Sequence, residues 1–130
     1  MFLCSGEKKH SFLGTLFHRN SWKGLPGHHI WSGDFYNSDG SHGKCILKPK
    51  DGHFDANPTN VPITKGLVAA RNGFDDISSI FKIYIKGCSK GIENGAFGEV
   101  IEGFQYLEYL SNLDDISSAY IYDCGNVITL

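Results

Sequence analysis

Phe81-Lys82-Ile83-Tyr84-Ile85-Lys86 decides the fold. Apolar residues alternate with lysine along it, the period of two that turns one face of a strand to a core and the other to water. Outward from this strand, Gly95 to Leu113 reads as a helix. Phe97, Val100, Ile101, Phe104, Leu107 and Ser111 recur there at spacings of three and four. Ala119-Tyr120-Ile121-Tyr122 returns to strand, Asp123-Cys124-Gly125-Asn126 has turn chemistry, and Val127-Ile128-Thr129-Leu130 suits the second arm of a hairpin. The expectation is an α+β fold: a single domain over 1–130 with a mainly antiparallel or mixed sheet, one principal helix at about 95–113 packed on it, and a C-terminal hairpin.

The rest of the chain adds strands and turns. His28-His29-Ile30-Trp31 and Asp34-Phe35-Tyr36 read as strand pieces divided by a bulge at Ser32-Gly33, with Lys44 to Lys48 as a hairpin partner. Phe2-Leu3-Cys4 suits a short opening strand, Ser11 to Phe17 fits a short helix or a strand, and Asn20 to Gly27 reads as a loop. Lys50 to Pro62 is the longest irregular stretch, because Asp51-Gly52, Asn57-Pro58 and Val61-Pro62 each disfavour regular structure. Ile63 to Ala70 suits a short helix stopped by Asn72-Gly73. Asp75-Asp76-Ile77-Ser78-Ser79 recurs as Asp114-Asp115-Ile116-Ser117-Ser118, each copy leading into an aromatic-rich strand; two copies do not make a repeat architecture.

At 130 residues the chain can bury a sizeable core without a metal or disulfide. No run approaches the roughly 18 apolar residues of a membrane helix, and Gly6, Glu7 and two lysines interrupt the start, so a cytoplasmic protein with no membrane contact is expected. Cys4, Cys45, Cys88 and Cys124 form no CxxC pair and are expected as buried free thiols. His42, Cys45, His53 and Asp55 match no standard zinc spacing, so neither metal nor cofactor is assigned. There is no GxSxG elbow and no phosphate-binding glycine loop; Gly87 to Gly91 reads as a turn.

Charge is divided along the chain. Residues 1–53 carry a net +3 and all six histidines, and residues 54–130 carry −5. From Gly91 onward there is no lysine or arginine, while Glu93, Glu99, Glu102, Glu108, Asp114, Asp115 and Asp123 supply seven negative charges. Such a segment attracts basic surfaces and repels nucleic-acid phosphates, unless it is only a solvated face. On the expected helix, Glu99, Glu102, Tyr106 and Tyr109 lie opposite the apolar stripe, and tyrosine offers large contact area at low entropy cost. With Asp114 and Asp115 they form the candidate partner-binding surface.

The preferred reading is therefore a small non-enzymatic inhibitor. It would neutralise a basic protein partner such as a toxin or nuclease, with no direct nucleic-acid contact, in the manner of immunity or anti-defence proteins. The alternative is a small nuclease or toxin domain. In it, His28 or His29 would work with His42 or His53 as acid and base, and Lys44 or Lys48 would stabilise the phosphorane. Gly27-His28-His29 resembles, over three residues, the short motif of HNH-type toxin nucleases, which implies one histidine activating water and another holding a divalent ion. A further alternative is a nucleotide-like ligand in a pocket lined by Trp22, Trp31, Phe35 and Tyr36.

Overall fold

A computed structural model of the chain describes residues 12–34, 60–74 and 79–125. Several expected features lie outside these residues: the opening strand at Phe2, the 44–48 hairpin arm, the loop over 51–59, the first Asp-Asp-Ile-Ser copy and the final arm from Val127.

Among the described residues are β1 (Arg19–Ser21), β2 (His29–Ser32), β3 (Val61–Ile63), β4 (Leu67–Phe74), β5 (Phe81–Tyr84), β6 (Cys88–Glu93), β7 (Ala96–Glu99) and one helix, α1 (Phe104–Ser111). A 3-10 turn, Ile116–Ser118, follows the helix. The main sheet has the order β1-β2-β5-β4-β7 and a second sheet pairs β3 with β6. The five strand pairings among the described residues are all antiparallel. The architecture is the expected α+β arrangement of a mainly antiparallel sheet with one helix.

The strand read first, β5, is central, flanked by β2 and β4. Its register places Ile83 opposite both Ile30 and Val68. Because side chains alternate, these residues share one face, and with Phe17, Ile85 and Ile116 they form the core. Phe104, Leu107 and Leu110 of α1 pack against that cluster at helical spacing. Burying each isoleucine contributes about 1.5–3 kcal/mol. The expected water-facing side of β5 is not in water, since Tyr84 is buried and Lys82 nearly so.

The helix is less than half as long as the periodicity predicts. Ala96 to Glu99 pairs along β4 as a strand, with a register shift between Val68 and Ala69. A bulged strand brings apolar residues round at irregular intervals that mimic a helical stripe. The edge of β4 also presents unpaired amides and carbonyls, which a strand satisfies and a helix does not. Gly103 then takes a left-handed conformation (φ 80°), and α1 begins only at Phe104.

Ile63 to Ala70 is likewise not a helix but the end of β3, a turn, and the start of β4. Val61-Pro62 is strand rather than loop, tolerated because Pro62 sits beside a register shift in a two-stranded sheet. Cys88 to Gly91, expected as a turn, belongs to β6. Within the expected loop at Asn20 to Gly27, Asn20 and Ser21 belong to β1. Phe12 to Phe17 is neither a helix nor a named strand. It meets the C-terminal segment through a bridge between Leu16 and Tyr120, with the Ile121 amide donating to the Thr15 carbonyl at 2.9 Å.

Gly33 closes β2. Its φ is 107°, and an added Cβ would press into the Ser79 carbonyl oxygen and lie 2.9 Å from Ile80 Cα. The Ser79 hydroxyl donates to the Gly33 carbonyl at 2.7 Å, fixing the approach. Gly33→Ala is therefore expected to cost about 2–4 kcal/mol, through positive-φ strain and a backbone collision together. Urea unfolding of the two proteins checks this; a loss under about 0.5 kcal/mol would show that the approach is not rigid.

Candidate functional site

The face of the main sheet opposite the core carries an unusual set of side chains. Strand alternation puts Arg19 and Ser21 of β1, His29 and Trp31 of β2, and Lys82 and Tyr84 of β5 on that side. The β3–β6 sheet stands beside this face and the loop carrying Trp22 closes one end, leaving a cleft of about 780 Å³ lined by both.

Glu93, at the end of β6, ties the second sheet to the first. Its carboxylate accepts from the Tyr84 hydroxyl at 2.7 Å, pairs with the Lys82 ammonium at 2.9 Å and accepts from the Gly95 amide at 3.0 Å. Both charged side chains are largely removed from water, at 13% and 6% exposure. Burial pushes the carboxyl upward, but the three hydrogen bonds outweigh it and hold Glu93 below the usual carboxylate range. Burial and the bond to Glu93 raise the Tyr84 phenol, which stays protonated.

His29 stands at the centre of an aromatic cage. Its ring centroid lies 5.7 Å from Trp22, 5.3 Å from Trp31 and 5.2 Å from Tyr84, with the planes inclined by 52–71°. Cations border the same aromatic wall: the Arg19 guanidinium is 5.7 Å and the Lys82 ammonium 5.5 Å from the Trp31 ring. Trp31 is fixed by its indole N–H donating to the Ser21 hydroxyl at 3.1 Å. Burial, with Lys82 and Arg19 nearby, lowers the His29 pKa, and the ring is neutral near pH 7.

Trp22 is held unusually. Its backbone has φ 60°, and Asn60, at φ 45°, is the other non-glycine residue in the left-handed region among those described. Both line this cleft. Such strain in a bulky residue persists only where surrounding structure imposes it, and it clusters at functional sites. Gly27 accommodates the indole, since a Cβ there would lie 3.1 Å from the Trp22 ring. The ring is nonetheless 59% exposed, a wall of the cleft rather than part of the core.

His28 and His29 do not share a site. His28 is buried toward the helix side, its Nε2–H donating to the Asn20 side-chain oxygen, while the Asn20 amide donates to the Ser111 carbonyl at 2.8 Å. This relay joins β1 and β2 to the end of α1, which commits His28 to the fold. Burial lowers its pKa as well, with Lys86 adding to the effect. His42, His53 and Lys44 lie outside the described residues, as do Phe35 and Tyr36. Among the described residues no cluster of His, Cys, Asp or Glu has the geometry to hold a metal ion. Cys88 and Cys124 are both half-buried.

The expected acidic strip is not one helix face. Glu99 ends β7, Glu102 precedes α1, and Asp114 and Asp115 follow it, with Asp115 accepting from the Ser117 amide and hydroxyl. Tyr106 and Tyr109 do face outward, each 69% exposed. Glu93 does not belong to the surface at all. Sequence reasoning missed Arg19, His29 as a lone cleft residue and the Glu93–Lys82 pair. The usable signal was that Arg19, Ser21, His29, Trp31, Lys82 and Tyr84 all fall on alternate positions.

No protein-family model matches the chain. Among the described residues no helix is long and apolar enough to cross a membrane.

The histidine and carboxylate shifts fix a pH dependence. His28 and His29 titrate below their unfolded value of 6.5, so the unfolded chain binds more protons there and stability falls as pH drops through 6.5. Glu93 is depressed below 4.5, so its contribution is present above that value and is lost as pH falls through the folded one. Thermal midpoints followed from about pH 7.5 to 3.5 should decline in two stages, the first flattened in His29→Phe and the second in Glu93→Gln.

Proposed function

We propose that the protein is a small ligand-binding protein whose cleft takes a nucleotide-like molecule, a planar heteroaromatic ring carrying an anionic group. The observation that carries the reading is the His29 cage: two tryptophans on either hand of one histidine, bordered by Arg19, Lys82 and Lys90 against the single carboxylate of Glu93. Tryptophan faces stack on any base, and stacking contributes about 1–3 kcal/mol per base. The guanidinium and exposed lysine supply charge and donors for phosphate. Aromatic side chains among converging polar and charged groups supply both the stacking surface and the orienting contacts that such a ligand needs.

Binding of adenosine 5′-monophosphate, followed through the fluorescence of the cleft tryptophans or by calorimetry, tests this. Trp22→Gly should weaken binding about tenfold or more while leaving the protein as stable or more so, because glycine relieves the positive-φ strain. Arg19→Ala should weaken binding and flatten its salt dependence. A Trp22→Gly protein that binds as well as the parent would sink the proposal.

A second reading, a basic protein partner neutralised through the acidic surface, is favoured by one observation. Tyr106 and Tyr109 are displayed outward between carboxylates at both ends of α1, Glu102 before it and Asp114 and Asp115 after it. The last turn of the helix carries no basic residue to offset its negative end, so a cation from elsewhere would be welcomed there. On this reading the protein retains a stoichiometric basic partner at low salt. Tyr106→Ala/Tyr109→Ala should abolish retention, and Glu99→Lys/Glu102→Lys should weaken it and reduce its salt sensitivity. Retention unchanged in both variants would remove this surface from consideration.

A further inference from the structure

His29 has one nitrogen spoken for and one not. Its Nδ1 lies 2.7 Å from the Gly27 carbonyl oxygen. A carbonyl oxygen only accepts, so Nδ1 carries the proton, and in the neutral ring Nε2 is then a bare lone pair. Nε2 has no hydrogen-bond partner among the described residues, and the ring lines the cleft. The anchor is itself held, because the Gly27 amide donates to the Gly87 carbonyl at 3.1 Å, and β2 is paired on both edges. The imidazole cannot swing freely to suit a ligand.

The other charged groups of the cleft are of the opposite kind. Arg19, Lys82 and Lys90 can only donate. Both Glu93 oxygens are already engaged, one by Tyr84 and Lys82 and the other by the Gly95 amide, and the Ser21 hydroxyl already receives the Trp31 indole N–H. Between two tryptophan rings there is therefore a fixed acceptor, in a setting where the cations serve an anionic group.

We infer that His29 is the specificity-determining residue of the cleft, its Nε2 accepting a hydrogen bond from an N–H donor on the edge of the ligand's ring. The inference rests on the nucleotide-like reading and sharpens it: the ligand class is a nucleotide whose base carries an amino group or ring N–H on its exposed edge. A ring of the same shape without a donor leaves the Nε2 lone pair facing an apolar C–H. Sites built around such a bond reject the analogue that lacks it, because the buried polar group is left unpaired.

The test compares adenosine 5′-monophosphate with purine riboside 5′-monophosphate, which has the same shape, charge and stacking area but no amino group. Calorimetric titration of the full chain should show the adenine nucleotide binding about tenfold more tightly. In His29→Phe, which keeps an aromatic ring and removes the acceptor, the two should bind within about twofold of each other. A readout independent of any variant is the nitrogen resonance of His29 Nε2 in the parent protein. It should move from the unprotonated position toward a hydrogen-bonded one with the adenine nucleotide and stay in place with the purine analogue. Equal affinities for the two ligands in the parent, or an unaltered preference in His29→Phe, would overturn the inference and leave the nucleotide reading standing. Binding of neither ligand would overturn both.

Discussion

The cleft exists because Glu93 is buried against Lys82 and Tyr84. That contact is the side-chain tie by which β6 meets the main sheet beside the face bearing Trp31 and His29, in addition to the backbone bond from the Gly27 amide to the Gly87 carbonyl. A buried ion pair is weak grounds for stability, since desolvating two charges costs several kcal/mol and the attraction does little more than offset it. What it does supply is register. An unpaired ammonium or carboxylate at that depth is costly enough that β6 is confined to the position that pairs both. The hydroxyl of Tyr84 and the amide of Gly95 add two further hydrogen bonds to the buried carboxylate.

Strand alternation then does two jobs with one set of strands. Ile30 and Ile83 face α1 and make the core, while their neighbours His29, Trp31, Lys82 and Tyr84 face the cleft. The functional side chains are thereby rigidified by the strands that stabilise the fold, and β2 and β5 are paired on both edges. Two adjacent histidines end in opposite circumstances for the same reason. One residue of offset sends His28 to Asn20 and the helix and leaves His29 among aromatic rings.

How far the sequence foretold this depends on what each residue's partner was. The strand at Phe81 and the one at His29 were legible, because alternation is a local property and both strands lie in the middle of the sheet. The second half of the helix was legible too, since Phe104, Leu107 and Leu110 do pack on the core. Ala96 to Glu99 was not, because its state was decided by the open edge of β4, some thirty residues earlier in sequence. The acidic C-terminal segment stands out in the sequence by its charge alone, but Glu93 lies within it and is buried, a fact that depends on Lys82 reaching it from another strand. Trp22 and Trp31 were seen as a possible pocket. That His29 stands between them follows only from pairing β1, β2 and β5 in register.

The strain at Trp22 tells against a purely architectural role for the cleft. A tryptophan at positive φ costs of order 1–3 kcal/mol, a sizeable part of the margin of a small domain. A core residue could justify that cost through burial, but this indole is mostly exposed and gives back little hydrophobic stabilisation. Gly27 beside it adds the entropy loss of a glycine fixed at φ 82°, which keeps open the space the ring lies against. Asn60, also at positive φ, borders the cleft just before β3. Fold stability alone would favour glycine at position 22, so the residue there is better explained by what its exposed face can stack against than by anything it packs on.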